Sequence, residues 1–236
     1  NYPKFKDKIK YIVIDKEPDG IVEENNNPTL QRANSLKRIE LSYDEHFNAI
    51  KDADDDDFIM LSDNDEIPNL DSEDFKKNKN DIVIFNQLFF YFKFNLLYDR
   101  MLWPGTKGCR KKNLKSFSWL RNIKFKKYPI WRIDTYFSNT KYSNLNIIND
   151  GGWHFTNLKS PEDMFEKFMN FGHHDEFKLS GITVDKIRDK ISKREMFYDH
   201  FADKSSKNKW DSDYKLKKID TDLLPRYLVS LSLIHI

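Results

Sequence analysis

The sequence predicts an α/β fold, and three segments near its start carry this prediction. Lys8–Asp15 is a dense run of Ile, Val and Tyr that ends at an acid, as expected of a strand. Leu30–Ala53 repeats apolar residues at the spacing of one buried helix face. Phe58–Leu61 is short, continuous and apolar, which is typical of a strand buried on both faces of a mostly parallel sheet. Strand, helix and strand in this order indicate α/β. The helix face expected to be buried consists of Leu36, Ile39, Tyr43, Phe47 and Ile50.

The rest of the chain supplies further predicted strands and helices. Asp81–Leu97 is long and aromatic and is expected to form strand. Ser160-Pro161 predicts a helix start, because Ser can cap, Pro suits the first turn and the acids that follow complement the helix dipole. Thr183–Arg194 has the pattern of an amphipathic helix. The remaining predicted elements are a short helix at Lys115–Asn122 and strands at Leu145–Ile148 and Trp153–Leu158.

Composition excludes several classes of protein. Aromatic residues make up 15% of the 236, and disordered chains lack such rings to bury. A single cysteine, Cys109, cannot form an internal disulfide, so a disulfide scaffold is excluded. No apolar run approaches the roughly 20 residues that a membrane-spanning helix needs. The net charge of only +2 does not suggest a generic polyanion binder, and nucleic acid is not an expected partner.

Charge is nevertheless uneven along the chain. Residues 52–66 hold eight acids and no base, and residues 107–127 hold nine bases and no acid. Two such blocks could hold a cation and an anionic ligand together. They could equally be two solvated surface segments.

The segment FIMLSDNDEIP, residues 58–68, carries the main chemical signal. Its apolar strand delivers Asp63-Asn64-Asp65 to the carboxyl end, where open α/β sheets bind ligands. Two carboxylates two residues apart can converge on Mg²⁺ or Mn²⁺, which completes its shell with water and diphosphate oxygens. An Asp-rich turn that caps a helix is the alternative. The position behind a buried strand favours a metal site at Asp63 and Asp65.

Two further segments contain candidate site residues. In GGWHF, residues 151–155, the glycines allow a close backbone approach. Trp153 offers a face on which a sugar can stack, and His154 can ligate a metal or bind phosphate. A turn with a core Trp and a satisfied His is the alternative. In His174-Asp175-Glu176, a carboxylate could act as a general base, or the stretch could be a solvated helix end.

Taken together, these motifs resemble glycosyltransferase family 17. The resemblance rests mainly on SDNDEIP at 62–68 and GGWHF at 151–155. It is extended by WPGTK at 103–107, by HDEF at 174–177 and by LPRYL at 224–228. These motifs occur in the family's order from about residue 9 to residue 228.

The resemblance implies a GT-A-like fold with a mixed, mostly parallel central sheet flanked by helices. It also implies an inverting enzyme, similar to β-1,4-N-acetylglucosaminyltransferases, that uses a UDP-sugar donor and Mn²⁺ or Mg²⁺. Asp63 and Asp65 match the D-x-D carboxylates, and His154 matches a late histidine that can be a further metal ligand. Gln31-Arg32 resembles a pair near the donor, and Lys107 matches a lysine that could face the diphosphate.

The chain also departs from the family pattern. The family has a further strand and helix before Lys8, so residues 1–228 are expected to be one glycosyltransferase domain that lacks these elements. Residues 229–236 do not resemble the usual ending and are expected to be a tail that need not be native. Phe155 stands where animal members have Cys. This favours a cytoplasmic microbial or viral enzyme, with the Golgi lumen expected for a eukaryotic fragment.

The resemblance thus implies transfer of a GlcNAc-like sugar from a nucleotide-diphosphate donor to a glycan hydroxyl. Glu176 is the first choice for the base that deprotonates this hydroxyl, with Asp175 and Glu66 as rivals. Two other functions stay open: a metal-dependent phosphohydrolase or nuclease, and a catalytically degenerate carbohydrate-binding module. Donor and glycan acceptor are the expected partners, without a membrane segment in this chain.

Overall fold

The computed structural model describes residues 3–22, 27–170, 174–202 and 207–230. The protein is mixed α/β, with a curled sheet of mixed strand direction flanked by helices, so the predicted α/β class is confirmed. The helices are α1 (Pro28–Asp44), α2 (Glu73–Lys76), α3 (Phe117–Asn122), α4 (Pro161–Asn170), α5 (His174–Ser180), α6 (Val184–Lys193) and α7 (Arg226–Ser230). The strands are β1 (Phe58–Leu61), β2 (Glu66–Pro68), β3 (Ile82–Tyr91), β4 (Leu96–Leu97), β5 (Trp103–Arg110), β6 (Leu145–Ile148), β7 (Gly152–Thr156) and β8 (Lys217–Lys218).

The chain divides into two compact units. Short 3₁₀ helices complete the described secondary structure. The first unit consists of Asn1–Leu61 and Gly108–Leu145, and the second of Ser62–Lys107 and Asn146–Ile236. The predicted tail at 229–236 begins inside α7, and its residues 231–236 lie outside the described residues. The 3₁₀ helices are Pro3–Lys8, Glu45–Ile50, Lys111–Asn113, Ile133–Thr135, Lys207–Trp210 and Thr221–Leu223.

In the first unit, α1 is held by polar side chains. Asn27 caps its start by accepting a hydrogen bond from Thr29 N. The buried Asn34 side chain bonds to both backbone groups of Val22, at 3.1 and 2.8 Å. At the other end, Asp44 accepts a hydrogen bond from Ser118 N at 2.9 Å, which joins α1 to α3.

Three predictions about this unit are wrong. Lys8–Asp15 is not a strand, and within the described residues no other segment pairs with it. An apolar run forms a strand only where a neighbour accepts its hydrogen bonds, and here Tyr11 and Val13 are exposed. Leu36 and Ile39 are also exposed, so the predicted face of α1 is not buried. In β1 only Ile59 is buried, so this strand is not enclosed on both faces.

The second unit is built around β3, which is buried along almost its whole length. β7 runs parallel to β3, with Leu88 opposite Trp153. β4 is antiparallel to β3, β8 is antiparallel to β4, and β2 is antiparallel to β7. The sheet is mixed, as predicted; of these four pairings three are antiparallel, so they do not support the expectation of a mostly parallel sheet. β4 follows β3 through a short turn, and a connection of this length places two strands antiparallel.

Helices α4, α5 and α6 pack on an aromatic core beside β3. Ser160 accepts a hydrogen bond from Asp163 N at 3.1 Å, and Thr183 accepts one from Lys186 N at 3.2 Å. The predicted starts of both helices are therefore confirmed. The core includes Phe89, Tyr98, Met164, Phe168, Phe177, Ile187, Phe197 and Trp210. A second apolar cluster contains Phe90, Leu97, Phe155, Ile219, Leu224 and Leu228.

Two further observations bear on the classes considered from composition. Among the described residues, none of the helices combines the length and apolar character that a bilayer span requires. Cys109 lies on β5 in the first unit, and its side chain is fully buried.

Gly151 and Gly152 are required by the close approach of three backbone segments. A Cβ on Gly151 would lie 2.4 Å from Asn86 N, and one on Gly152 would lie 2.2 Å from the carbonyl oxygen of Ile67. Gly152 also has φ +104°, which disfavours any residue with a side chain. These contacts allow β7 to enter between β2 and β3.

Gly152→Ala should lower the free energy of unfolding by more than about 2 kcal/mol, because it adds a backbone clash to backbone strain. Gly181→Ala is the matched control, since Gly181 has φ +66° but no atom within 4 Å of the added Cβ. That variant should lose only the strain, roughly 1 kcal/mol. Chemical denaturation followed by circular dichroism measures both losses, and equal losses would contradict the steric role of Gly152.

Candidate functional site

The D-x-D residues lie in a tight turn that precedes β2 in the second unit. Glu66 N donates to Asp63 O at 3.0 Å, and Asp63 N donates back to the Glu66 side chain at 3.2 Å. Phe155 N donates to Asp65 O at 2.8 Å, which ties the turn to β7. Both ends of the motif are thus held by main-chain bonds, and the carboxylates do not have to support the turn.

Asp65 and His154 are brought together by the pairing of β2 with β7. Glu66 lies opposite His154 in this ladder, and His154 Nδ1 is 3.6 Å from an Asp65 oxygen. The imidazole is buried and stacks on the Trp103 ring at 4.6 Å between centroids. Burial lowers the pKa of His154 to about 4, against the opposing effect of Asp63, so the ring is neutral at physiological pH. Burial also raises the pKa of Asp65, and the positive charge of Lys167 opposes this.

The donor set at this position is suited to a divalent cation, although it is small. Within the described part of the chain, no three His, Cys, Asp or Glu side chains are grouped as a metal cluster. His154 Nδ1 is buried and has no hydrogen-bond partner among these residues. A neutral imidazole nitrogen of this kind, next to a carboxylate, is a good metal ligand. Asp65 and His154 therefore fit a cation, and Asp63 is close enough for its charge to act on His154.

Glu66 lies behind the turn in a buried polar network. Its carboxylate accepts hydrogen bonds from Trp103 Nε1 at 2.9 Å and, more weakly, from Thr106 Oγ1 at 3.5 Å. Burial raises the pKa of Glu66 to about 7; the Trp103 hydrogen bond opposes this shift, and Asp63 adds to it. The space is so narrow that a Cβ on Gly105 would lie 3.1 Å from the Glu66 carboxyl carbon. Glu66 thus supports the D-x-D turn, a role that the sequence did not reveal.

A pocket of about 470 Å³ opens beside Asp65. Lys167 donates to Asn157 Oδ1 at 3.0 Å, and much of its side chain is exposed while its amino end lies in the pocket. Burial of this end lowers the pKa of Lys167, which Asp65 opposes. The sequence analysis did not single out Lys159 or Lys167, the two lysines of this pocket. The only indication in the sequence is that both follow GGWHF closely. The walls include Asp65, Phe94, Phe155, Asn157, Lys159 and Lys167.

Other predicted site residues of the second unit lie outside this arrangement. Trp153 packs against the cluster around Phe155, and its indole N–H donates to Leu223 O at 2.6 Å. His154 instead contacts Trp103, as alternation along a strand requires. These contacts agree with the alternative in which Trp153 is a packing residue. Lys107 lies on β5, directly after Thr106.

The remaining candidates lie on helices. Gln31 and Arg32 are in α1 of the first unit. Glu176 is in α5, where it accepts a hydrogen bond from Lys209 Nζ at 2.6 Å in a largely buried ion pair. The side chain of Asp175 lies outside the described residues. The assignment of Glu176 or Asp175 as the base stays a prediction.

Comparisons with protein-family models, curated proteins and solved structures find no match to this chain. The resemblance to glycosyltransferase family 17 therefore rests on the motifs alone.

Glu66→Gln should destabilise the protein by about 1–3 kcal/mol, because either orientation of the amide turns an NH₂ group toward a donor. Both carboxylate oxygens accept hydrogen bonds in the native structure. Glu73→Gln on α2 is the control, since Glu73 makes only exposed ion pairs and its replacement should change stability little. Urea unfolding at neutral pH compares the two variants. A Glu66→Gln protein as stable as the control would show that the network does not hold the turn.

Proposed function

We propose that this protein is a metal-dependent inverting glycosyltransferase with a GT-A-like fold. It would transfer a GlcNAc-like sugar from a UDP donor to a glycan hydroxyl. The position of Asp65 carries the proposal, because its carboxylate adjoins the buried His154 and also lines a pocket that contains two lysines. A cation bound to a diphosphate needs this combination of groups. The motifs that resemble glycosyltransferase family 17 supply Asp65 and His154.

Asp65, His154 and Asp63 would hold Mn²⁺ or Mg²⁺. When bound, the metal neutralises charge on the departing diphosphate. His154 is suited to this role because its imidazole is neutral and its ring is fixed between Trp103 and Phe89. A ligand held rigidly by its neighbours loses little freedom on binding.

Lys159 and Lys167, which line the same pocket as Asp65, would bind the diphosphate. Charge-assisted hydrogen bonds to a phosphate strengthen as negative charge develops on the leaving group. The apolar walls at Phe94 and Phe155 suit the flat faces of a base or sugar ring. The similar role that the resemblance gives to Lys107 rests on the sequence alone.

Glu176 stays the predicted base for the acceptor hydroxyl. Taking up the proton would remove its charge and so weaken the pair with Lys209, in which both groups are mostly buried. The ion pair with Lys209 thus makes Glu176 a weaker base while the two groups are in contact. Glu66 is less suited to the task, because its oxygens already accept hydrogen bonds behind the turn.

Asp65→Asn should weaken Mn²⁺-dependent UDP binding at least tenfold, about 1.4 kcal/mol, because it removes a charged ligand while keeping the side-chain volume. Asp71→Asn is the matched control, since Asp71 is an exposed acid of the same segment. Titration calorimetry with UDP, with and without Mn²⁺, gives both affinities. Unchanged UDP binding by Asp65→Asn would overturn the metal assignment. UDP binding without sugar transfer would favour the carbohydrate-binding module, and metal-dependent cleavage of DNA or RNA would favour the nuclease.

Lys167→Met should lower the affinity for UDP and Mn²⁺ about tenfold or more, because it removes a charge-assisted contact but keeps the packing of the stem. Lys178→Met on α5 removes an exposed charge of the same unit and should leave the affinity unchanged. Losses of equal size, together with a steep dependence on salt, would instead indicate diffuse attraction to a polyanion.

A further inference from the structure

A second basic cavity, of about 330 Å³, lies in the same unit as the D-x-D turn. It is open to solvent and is lined by residues near the end of α6 and in or beside β4 and β8. Three cationic side chains line it, those of Lys93, Arg194 and Lys218, together with the polar side chains of Asn95 and Ser192. None of its lining residues is an acid. The cavity therefore presents hydrogen-bond donors and positive charge without a compensating carboxylate.

The neighbouring bases on α6 are neutralised, in contrast to these three. Lys193 pairs with Asp189 at 2.7 Å, and Lys190 pairs with Glu195 at 3.4 Å. The other bases of the helix are likewise paired: Lys186 with Asp211, and Arg188 with Glu162 and Asp185.

Among the described residues, by contrast, no carboxylate forms an ion pair with Lys93, Arg194 or Lys218. All three residues are exposed, so solvent screens their mutual repulsion, and an anion bound among them would gain charge-assisted hydrogen bonds.

The backbone of Arg194 has a conformation that residues with a side chain adopt at some cost. Arg194 ends α6 in the left-handed conformation, with φ 57° and ψ 38°, and its N–H bonds to Ile191 O and Lys190 O. Glycine is favoured at this position because it has no Cβ to strain. An arginine here lowers stability relative to glycine, and residues held in such conformations are found at binding sites.

The basic cavity and the pocket beside Asp65 each share lining residues with a third cavity. An intermediate cavity of about 840 Å³ shares Lys159 with the pocket beside Asp65. It shares Lys93 and Ser192 with the basic cavity. Phe92 and Phe94 line this intermediate part, and aromatic rings suit the apolar faces of sugars. Neighbouring cavities that share lining residues suit a ligand longer than one sugar.

We propose that Lys93, Arg194 and Lys218 bind an oxyanion group, such as a sulfate, phosphate or carboxylate, carried by the acceptor glycan. The link to an acceptor rests on the proposed transferase function, whereas the binding of an oxyanion does not. A free inorganic oxyanion is the other source of the same chemistry, and the experiment separates the two.

The test compares binding of a sulfated chito-oligosaccharide, its neutral counterpart and inorganic sulfate to the full chain. The unchanged protein should bind the sulfated oligosaccharide at least about tenfold more tightly than either other probe. Arg194→Gly combined with Lys218→Ala should abolish this preference while leaving UDP and Mn²⁺ binding unchanged. Lys193→Ala, which removes a paired base one residue away, should keep the preference.

Arg194→Gly also separates binding from folding, because glycine at this position should maintain or raise the melting temperature. Equal binding of the sulfated and neutral oligosaccharides by the unchanged protein would overturn the proposal. Inorganic sulfate that binds as tightly as the sulfated oligosaccharide would overturn the acceptor assignment. A preference for the sulfated probe in a protein that does not bind UDP and Mn²⁺ would support the oxyanion site while the transferase proposal fails.

Discussion

The second unit depends on a contact between backbones that only glycine permits. Asn69 N donates to Gly151 O at 3.1 Å, and Gly151 N donates to Asn86 O at 3.2 Å. These bonds fix the point at which β7 enters the sheet, and so they fix its register with β2 and β3. Register decides which side chains meet, because a shift by one residue turns every side chain to the other face. With the observed register, His154 rather than Trp153 faces the D-x-D turn.

A network of hydrogen-bonded polar side chains lies beneath that turn, in a position where apolar side chains are more common. Ser62 Oγ lies 2.6 Å from Thr106 Oγ1, and Gln87 Nε2 donates to the same Thr106 oxygen at 3.3 Å. Apolar side chains of the same volume would need no hydrogen bonds, whereas every buried polar atom needs a hydrogen-bond partner. The hydrogen bonds that this network does form rigidify the backbone around the turn. Such rigidity is useful where Asp63 and Asp65 must be held at fixed positions.

The sequence was informative where structure is decided locally. Ser160 and Thr183 cap helices through atoms only three residues away, and the long aromatic run around β3 was expected to form strand, as it does. Periodicity was misleading for Leu36, because it shows which residues share a helix face but not whether anything packs on that face. The same holds for Lys8–Asp15, whose strand character required a partner.

The candidate site likewise has a part that the sequence reveals and a part that only the fold reveals. Asp63 and Asp65 could be found from a motif, since both lie in one turn. That Asp65 meets His154 and Lys167 depends on contacts between residues about ninety to a hundred positions apart in the sequence, which spacing alone does not encode. From the sequence, Glu66 is only a rival candidate for the base, because its hydrogen bonds to distant residues are visible only in the fold.

Because Cys109 is buried, the rate at which it reacts with a thiol reagent measures local opening of the first unit. The thiol is fully enclosed on β5, next to Gly108, where a Cβ would lie 2.5 Å from the Phe58 ring. A thiol reagent can reach it only when this strand separates from its surroundings. Since the chain has no second cysteine, the rate of labelling reads the opening of one defined segment, without interference from any other thiol.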